Sequence, residues 1–162
     1  MESKHILKKN YSFKRISRKI WMHMARKLPL LPGNLRARMF SVAGVNFEDV
    51  TTNFIGYNVY FDDLHPELIT VGANTIITEG TSILTHFLDV SYDDFNHMYL
   101  GEIIIEHDVF IGLNTVFVKP VRVGKGAIIG ANSVVNKDIK AYTVNGGNPI
   151  KSIIKREIKN GN

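Results

Sequence analysis

Six histidines are the side chains whose chemistry first distinguishes this sequence, which contains no cysteine. An imidazole with a pKa near about 6.5 can accept a proton from a weak nucleophile, and three converging imidazoles can bind zinc. The absence of cysteine excludes disulfide bonds, thiolate zinc sites and a cysteine nucleophile. The histidines are His5, His23, His65, His86, His97 and His107. General-base catalysis and a histidine zinc site are therefore the two chemistries to weigh.

Charge is divided unevenly along the chain. Residues 1–40 contain eleven Lys or Arg and one acidic residue, Glu2, whereas the remainder contains nine basic and fourteen acidic residues. The net charge of +5 therefore describes the N-terminal segment and says little about the rest. No apolar run of about 18 residues is present, and the N-terminus lacks the apolar stretch and cleavage site of a secretory signal. We expect a single cytoplasmic domain, long enough at 162 residues to bury a core.

A six-residue period runs through the C-terminal half of the chain. The leading residues of six consecutive hexads are Ile105, Ile111, Phe117, Val123, Ile129 and Val135, and the residues four positions later are Val109, Thr115, Val121, Ala127, Ser133 and Ile139. This period fits neither a helix nor a plain strand alternation. It predicts an all-β solenoid of triangular coils, in which each hexad supplies one short strand and one corner. The leading side chain should point inward, and Gly112, Gly124 and Gly130 should relieve crowding at corners.

The basic N-terminal segment is predicted to be helical. Apolar residues recur near helical spacing within 13–28, Pro29 and Pro32 then break the segment, and a second short helix is expected at about 35–42. The apolar stripe of the first helix consists of Ile16, Ile20, Trp21, Met24 and Leu28. We expect this stripe to cap the open end of the solenoid, with a membrane-surface helix as the alternative. Nucleic-acid binding is disfavoured because no groove-reading motif is present.

The repeat is interrupted once. The hexads begin imperfectly from Phe47 and are clear at Val71, Ile77 and Ile83. The next leading residue, Ile105, follows only after 22 residues, so an insertion is expected at about 89–101. Insertions in solenoids lie on one face and often line a binding site. The predicted organisation is a helical leader at 1–44, the solenoid at 45–146 and a tail with a short basic helix at 147–162.

The sequence resembles the hexapeptide-repeat acyltransferases, and within them the maltose/galactoside O-acetyltransferases and polysaccharide-modifying O-acetyltransferases. The similarity covers about 53–156 and lies in the strings ITVGANTIITEGTSILTH, IIIEHDVFIGLNTVFVKPVRVGKGAIIGANSVVNKDI and VNGGNPIKSI. It implies a left-handed parallel β-helix with short terminal helices, an exception to the usual right-handed crossover. It also implies acetyl-CoA as the acyl donor, no required metal, and a homotrimer with active sites in the clefts between subunits.

The resemblance assigns the general base to His86. In this family a histidine just before the insertion has that role, and His86 ends the matching string ILTH. It would take the proton of a sugar hydroxyl as that oxygen attacks the acyl thioester. His97, within the insertion, is a candidate substrate contact. A γ-class carbonic anhydrase would need one zinc-binding histidine followed, some way on, by a pair of histidines five apart. His86 and His107 are 21 apart, and Gly112 stands five residues after His107, so no metal site is expected.

The resemblance also proposes contacts for both substrates. For acetyl-CoA the matching positions are Phe110, Leu113, Ala131, Asn136, Lys137 and Lys151. Lys151 replaces a family arginine, and a lysine lacks the bidentate fork that an arginine offers to phosphate. For the acceptor the matching positions are Asn58, Asp62 and Asp63.

These observations lead to one preferred function. We expect an acetyl-CoA-dependent O-acetyltransferase that acts on a sugar or a surface-polysaccharide precursor by direct transfer. The alternatives are transfer to an amino sugar or a serine-type acceptor, or a non-catalytic trimeric scaffold. Serine acetyltransferases carry a long helical N-terminal domain that the basic leader is too short to supply.

Overall fold

The computed structural model describes residues 3–5 (backbone only), 13–93 and 96–158 of the chain, which contain two α-helices and seventeen strands. The helices are α1 (Phe13–Lys27) and α2 (Gly33–Val42), and a short 3-10 turn lies at Pro66–Leu68. The strands are β1 (Ser3–His5), β2 (Asn46–Phe47), β3 (Phe54–Ile55), β4 (Tyr60–Phe61), β5 (Ile69–Val71), β6 (Ile76–Ile77), β7 (Ser82–Ile83), β8 (His86–Leu88), β9 (His97–Leu100), β10 (Ile103–Ile105), β11 (Phe110–Ile111), β12 (Val116–Phe117), β13 (Val121–Val123), β14 (Ile128–Ile129), β15 (Val134–Val135), β16 (Thr143–Gly146) and β17 (Lys151–Lys155).

Three parallel sheets form the body of the molecule. Face I contains β2, β5, β10 and β13, face II contains β3, β6, β11, β14 and β16, and face III contains β4, β7, β12 and β15. The chain visits faces I, II and III in turn four times, and each strand pairs with the one a full coil before it. This order matches the three-sided coil that the six-residue period predicts, since one hexad supplies one side.

The leading residues of the hexads form the core. Ile111, Phe117, Val123, Ile129 and Val135 are fully buried, and the residues four positions after the leading residues are also buried. Each coil therefore places two inward side chains per side. The prediction that the leading side chains point inward is confirmed.

The turn of the chain at each corner depends on one further position of the hexad, for which no role was predicted. The third residue after the leading one has a positive φ in coil after coil, as at Asn74, Asp108 and Asn132. Asparagine and aspartate tolerate this left-handed conformation better than other non-glycine residues. The glycine that directly follows a leading residue is needed for close packing of the coils and not for a positive φ. A Cβ at Gly112 would lie 2.5 Å from a backbone nitrogen of the next coil, whereas one at Gly130 would meet its nearest atom at 3.5 Å. The predicted crowding therefore exists at Gly112 but not at Gly130.

Both leader helices form close to their predicted bounds, and α2 covers the first coil. Phe40 of α2 packs edge-on against Phe61, with ring centroids 4.7 Å apart. The buried Arg36 donates hydrogen bonds to the carbonyl oxygens of Leu28 and Leu31, which fixes the turn between the two helices. Neither helix in the described ranges is long and apolar enough to cross a lipid bilayer.

The face by which α1 packs differs from the predicted one. Met22 and Ala25 are buried against the core and Trp21 packs beside them, whereas Ile16 and Ile20 are about half exposed. The prediction that this stripe covers the first coil is therefore wrong for all its members except Trp21. The reason is that the small side chain of Ala25 allows close approach, and α2 already supplies the large apolar side chains that fill the end of the core.

The insertion is a β-hairpin that leaves the coil at His86. Strands β8 and β9 pair antiparallel, and β1 from the N-terminus adds a third antiparallel strand beside β9. The insertion thus lies where the sequence predicted it but begins three residues earlier. Residues 94–95, inside the predicted range 89–101, lie outside the described part of the chain.

The tail is a strand rather than the predicted C-terminal helix. Strand β17 turns back after Pro149 and pairs antiparallel with β16 at the edge of face II. An unpaired sheet edge offers a row of backbone hydrogen bonds, and the β-branched Ile153 and Ile154 favour an extended chain. Residues 159–162 of the predicted tail lie outside the described residues.

Candidate active site

A histidine and a buried aspartate meet at the corner between faces III and I. Asp62 directly follows β4 of the first coil, and His86 begins the hairpin after β7 of the second coil. Because β4 and β7 pair in register, the corners that follow them are stacked. The Nδ1 atom of His86 lies 2.5 Å from Oδ2 of Asp62.

The Asp62 carboxylate is held as an anion by donors from its own corner and from the corner stacked on it. It is fully buried, its Oδ1 accepts a hydrogen bond from the Leu64 amide at 2.9 Å, and its Oδ2 accepts bonds from the Thr85 amide and hydroxyl, both at 2.8 Å. Burial by itself raises the pKa of this carboxyl, but the hydrogen bonds from His86, Thr85 and Leu64 outweigh burial and leave the pKa well below its usual range. The carboxylate is therefore charged at neutral pH.

The carboxylate sets both the orientation and the basicity of His86. An anionic acceptor at Nδ1 keeps the proton on that nitrogen, so Nε2 is the ring nitrogen with the available lone pair. The hydrogen bond to Asp62 raises the pKa of His86, partial burial opposes this, and the charges of Asp62 and Asp63 add to the rise. The imidazole side chain is 23% exposed, so the ring can meet a substrate from the solvent side. This arrangement suits a general base.

The predicted acceptor-binding residues have three different placements. Asp62 is fully buried behind His86, which fits a positioning role better than direct contact with an acceptor. Asp63 is partly exposed next to it and pairs with Lys19 of α1 at 3.1 Å. Asn58 lies at the other end of β4, where its side-chain oxygen accepts a hydrogen bond from Lys27 at 2.8 Å.

His97, His65 and His107 have side-chain partners other than His86 and Asp62, which we call the dyad. His97 stands near the far end of the hairpin with its backbone opposite Asp89, about 10 Å along the strand from His86, and its ring stacks on Tyr92 at 3.8 Å. His65 contacts Glu67, and His107 contacts Asp108 at a different corner of the coil. In the described ranges no group of three His, Cys, Asp or Glu side chains could hold a metal ion.

The predicted acetyl-CoA contacts fall on two edges of the three-sided coil and on face II. Asn136 and Lys137 follow β15, on the edge that carries the dyad and two coils further along, or about 10 Å. Leu113 and Ala131 lie on the edge between faces II and III, where Leu113 accepts a backbone hydrogen bond from the residue after Ala131. Phe110 points outward from face II, and Lys151 begins β17 at the end of that face. A single chain thus does not bring all six residues together.

The contact between His86 and Asp62 was not predicted from the sequence, although the sequence contains a signal for it. Phe61 and Ile83 are leading residues on the same face, as their backbone pairing shows. If the corners that follow Phe61 and Ile83 are stacked, Asp62 lies beside Thr85 and His86. Asp62 was instead predicted to contact the acceptor, because its segment resembles the family segment that carries substrate-binding Asn and Asp.

The comparisons with known proteins agree with the repeat. A family model described as the hexapeptide repeat of succinyl-transferase matches residues 102–137, which include β10 to β15. This stretch of the chain therefore matches the hexapeptide repeat. The chain is 38% identical over 97 residues to YvoF of Bacillus subtilis (strain 168), which is assigned as an acetyltransferase. The match covers 59% of this chain and 53% of that relative, so the chain spans about half of its length.

Solved acetyltransferase structures share the fold. The protein resembles a maltose O-acetyltransferase from Clostridium difficile 630 with a TM-score of 0.69 and 22% identity, over 90% of this chain and 87% of the other. It resembles a hexapeptide-repeat-containing acetyltransferase from Vibrio cholerae O1 biovar eltor, complexed with acetyl coenzyme A, with a TM-score of 0.67 and 20% identity, over 90% and 88% of the two chains. At these identities the likeness concerns the fold alone. The resemblance to hexapeptide-repeat acetyltransferases that the sequence indicates is confirmed.

Proposed function

We propose that the protein is an acetyl-CoA-dependent O-acetyltransferase that acetylates a hydroxyl of a sugar or polysaccharide precursor in the cytoplasm. The single observation that carries this proposal is the bond between His86 and the buried, anionic Asp62. A hydroxyl is a poor nucleophile at neutral pH, and an oriented imidazole of raised basicity is the group that such a reaction needs. The acetyltransferase relatives and the family resemblance support acetyl-CoA as the acyl donor. The family resemblance also implies a left-handed coil.

The proposed reaction is a direct transfer. Nε2 of His86 takes the proton of the acceptor hydroxyl while that oxygen bonds to the thioester carbonyl carbon of acetyl-CoA. The imidazolium that forms is stabilised by Asp62, whose charge lies 2.5 Å from the other ring nitrogen. The carbon–sulfur bond then breaks, the acetyl ester is released, and the proton passes to the sulfur of CoA. Asp62 is a positioning residue in this scheme, because it reaches the reacting atoms only through His86.

The donor would lie along the edge that carries His86. Asn136 and Lys137 stand about 10 Å from the dyad on that edge, a separation that fits an elongated donor with its phosphates away from the thioester. Leu113, Ala131 and Phe110 lie on or beside the other edge of face III, so we propose that a neighbouring copy contributes them. Asp63 and His97 are the partly exposed polar side chains proposed to contact the acceptor.

An outward apolar ladder on face II supports assembly into a homotrimer. Ile76, Phe110, Ile128, Val144 and Ile154 lie side by side through successive strand pairings, and each is partly or largely exposed. The matching outward positions of face I include polar and charged side chains. A contiguous exposed apolar strip marks a contact surface, and a second copy of the chain would cover it.

The test of the reaction is thiol release from acetyl-CoA with a panel of sugars and amino sugars, followed by mass spectrometry of the product. We expect His86→Ala to lower kcat by about 10²–10⁴-fold with the Michaelis constant for acetyl-CoA little changed. His107→Ala, which removes an exposed histidine at another corner, is the matched control and should keep wild-type turnover. Near wild-type turnover of His86→Ala would remove the basis of the mechanism, and acetylation of only amines would replace the hydroxyl acceptor.

The shared site has its own test. Light scattering should give the mass of a trimer, and His86→Ala and Ala131→Glu should each be inactive alone. Co-expression of the two variants should restore part of the activity, because a mixed trimer contains sites with an intact histidine from one copy and an intact Ala131 edge from the next. A monomeric mass with full activity, or no recovery on co-expression of folded variants, would contradict a site built from two copies.

A further inference from the structure

The outer surface of α1 carries a stripe of apolar side chains that the fold leaves uncovered. The outer stripe consists of Phe13, Ile16, Ile20, Met24 and Leu28, and their exposed fractions run from 88% for Phe13 to 38% for Met24. The spacing of three or four residues puts them on one side of the helix. The opposite side of α1 contacts the core through Met22 and Ala25, so the helix is held in place without the outer stripe.

The exposed apolar surface continues past the end of the helix. Leu30 is 99% exposed and has a φ of +59°, a left-handed conformation that a leucine rarely adopts. The strained turn directs this large side chain into solvent instead of the core. Leu30 extends the apolar surface of the outer stripe, and a contiguous exposed apolar surface indicates a region that is covered by something else.

Charge identifies the covering surface. Residues 3–47 contain eleven Lys or Arg and no acidic residue. Lys27 is exposed on α1 next to Leu28, and the Asn58 side chain that it contacts carries no charge, whereas the exposed Lys19 pairs with Asp63. An α1–α1 contact between two copies would bring these like charges together, which is unfavourable. An anionic surface would complement them.

We propose that α1 docks this protein on an anionic lipid bilayer. At 1.5 Å per residue the fifteen residues of α1 extend about 22 Å, which is too short to cross a hydrocarbon core of about 30 Å. The helix therefore lies in the plane of the membrane, with the outer stripe and Leu30 at the boundary between headgroups and acyl chains, and Lys27 among the headgroups. This inference does not depend on the proposed reaction.

Docking would hold the dyad next to the membrane. Arg18 of α1 donates a hydrogen bond to the Leu64 carbonyl and forms an ion pair with Glu67 at 3.4 Å, and Lys19 pairs with Asp63. These partners belong to the loop that directly follows Asp62. The helix that meets the lipid is thus attached to the segment that positions His86, so an acceptor linked to lipid would be presented close to the base.

The experiment is co-sedimentation of the full chain with vesicles, one set of phosphatidylcholine and one of phosphatidylcholine with phosphatidylglycerol, at low and high salt. The test variant is Ile16→Ser/Ile20→Ser, which removes two half-exposed side chains of the outer stripe. The matched control is Ile153→Ser/Ile158→Ser, which makes the same change at two isoleucines of similar exposure in the tail. Circular dichroism and sedimentation velocity of all three proteins report folding and mass.

We expect binding to the anionic vesicles that falls as salt rises, and little binding to phosphatidylcholine alone. The Ile16→Ser/Ile20→Ser variant should lose on the order of 30-fold in partition while the tail control keeps wild-type binding. Absence of binding to anionic vesicles at low salt overturns the proposal. Binding that the stripe variant retains in full also overturns it, because charge alone would then account for adsorption. A change of oligomeric mass in the stripe variant without vesicle binding would assign the stripe to a second copy instead.

Discussion

The Asp62→Asn variant tests the dyad at the level of single hydrogen bonds. In the native corner, Oδ2 of Asp62 accepts bonds from His86 and from two groups of Thr85. An amide NH2 at that position is itself a hydrogen-bond donor, so it cannot accept the bonds that these donors form with Oδ2. The imidazole of His86 can respond only by losing its partner or by moving its proton to Nε2, and an Nε2 that carries a proton cannot act as the base.

The expected loss has a kinetic part and a stability part. Loss of the correctly oriented base should lower kcat by about 10²–10⁴-fold. Removing a buried charged acceptor from three hydrogen bonds should also cost about 1–3 kcal/mol of the free energy of unfolding. Because the native pKa of Asp62 is depressed, the stability that the carboxylate contributes is present at neutral pH and is lost as the pH falls through that low pKa.

The pH profile separates positioning from simple damage to the fold. In the wild type the pKa of His86 is raised, so kcat/KM should rise with pH through a midpoint above about 6.5. Without the carboxylate that pKa falls, and the residual activity of Asp62→Asn should show its midpoint at lower pH. Thiol release measured between about pH 5 and pH 9 gives both profiles. Asp49→Asn, at an exposed turn where the carboxylate bonds Thr51, is the control and should match the wild type. An Asp62→Asn variant that is folded and has wild-type kcat, or a large loss with an unmoved midpoint, would refute this account of the dyad.

Two further variants test the donor site and the repeat. Lys137→Ala/Lys151→Ala should raise the Michaelis constant for acetyl-CoA by about 3–10-fold in a salt-sensitive manner and change kcat less, because exposed charges contribute to ground-state binding. Lys125→Ala is the control. An unchanged Michaelis constant in the double variant would mean that the CoA phosphates bind elsewhere. Gly112→Ala should lower the free energy of unfolding by about 1–3 kcal/mol, because its Cβ would lie 2.5 Å from a backbone atom, whereas Gly130→Ala should stay within about 0.5 kcal/mol of the wild type. Equal urea midpoints for the two glycine variants would contradict the close approach assigned to Gly112.

Much of the solenoid could be predicted because its information is local. One inward residue every six positions specifies a strand, a corner and the direction in which the leading side chain points. Ile111, Phe117 and Ile129 are buried as that pattern requires. The insertion could be placed for the same reason, since a break in a strict period is visible at Ile83. The candidate site was harder to predict, because the spacing of residues indicates which of them lie at a corner but not which side chains form hydrogen bonds with each other.

The tail and α1 show where local pattern was insufficient. Residues 147–158 have no strong helical or strand period, and the unpaired edge of β16 decides that they form a strand. The apolar residues of α1 suggested one buried stripe, but α2 and the first coil left room only for the face with Met22 and Ala25. In both cases the outcome depends on the shape of a neighbouring element.

The sequence by itself determined the repeat, the absence of cysteine chemistry, the basic leader and the candidacy of His86. Each of these rests on residue type or on spacings of a few positions. Only the tertiary structure decided that Asp62 orients His86, that the outer stripe of α1 remains exposed, and that the predicted donor contacts lie on two edges. The physical reason is that stacking of coils brings together residues 24 positions apart, and their contact depends on corner geometry and insertion length, which no hexad encodes.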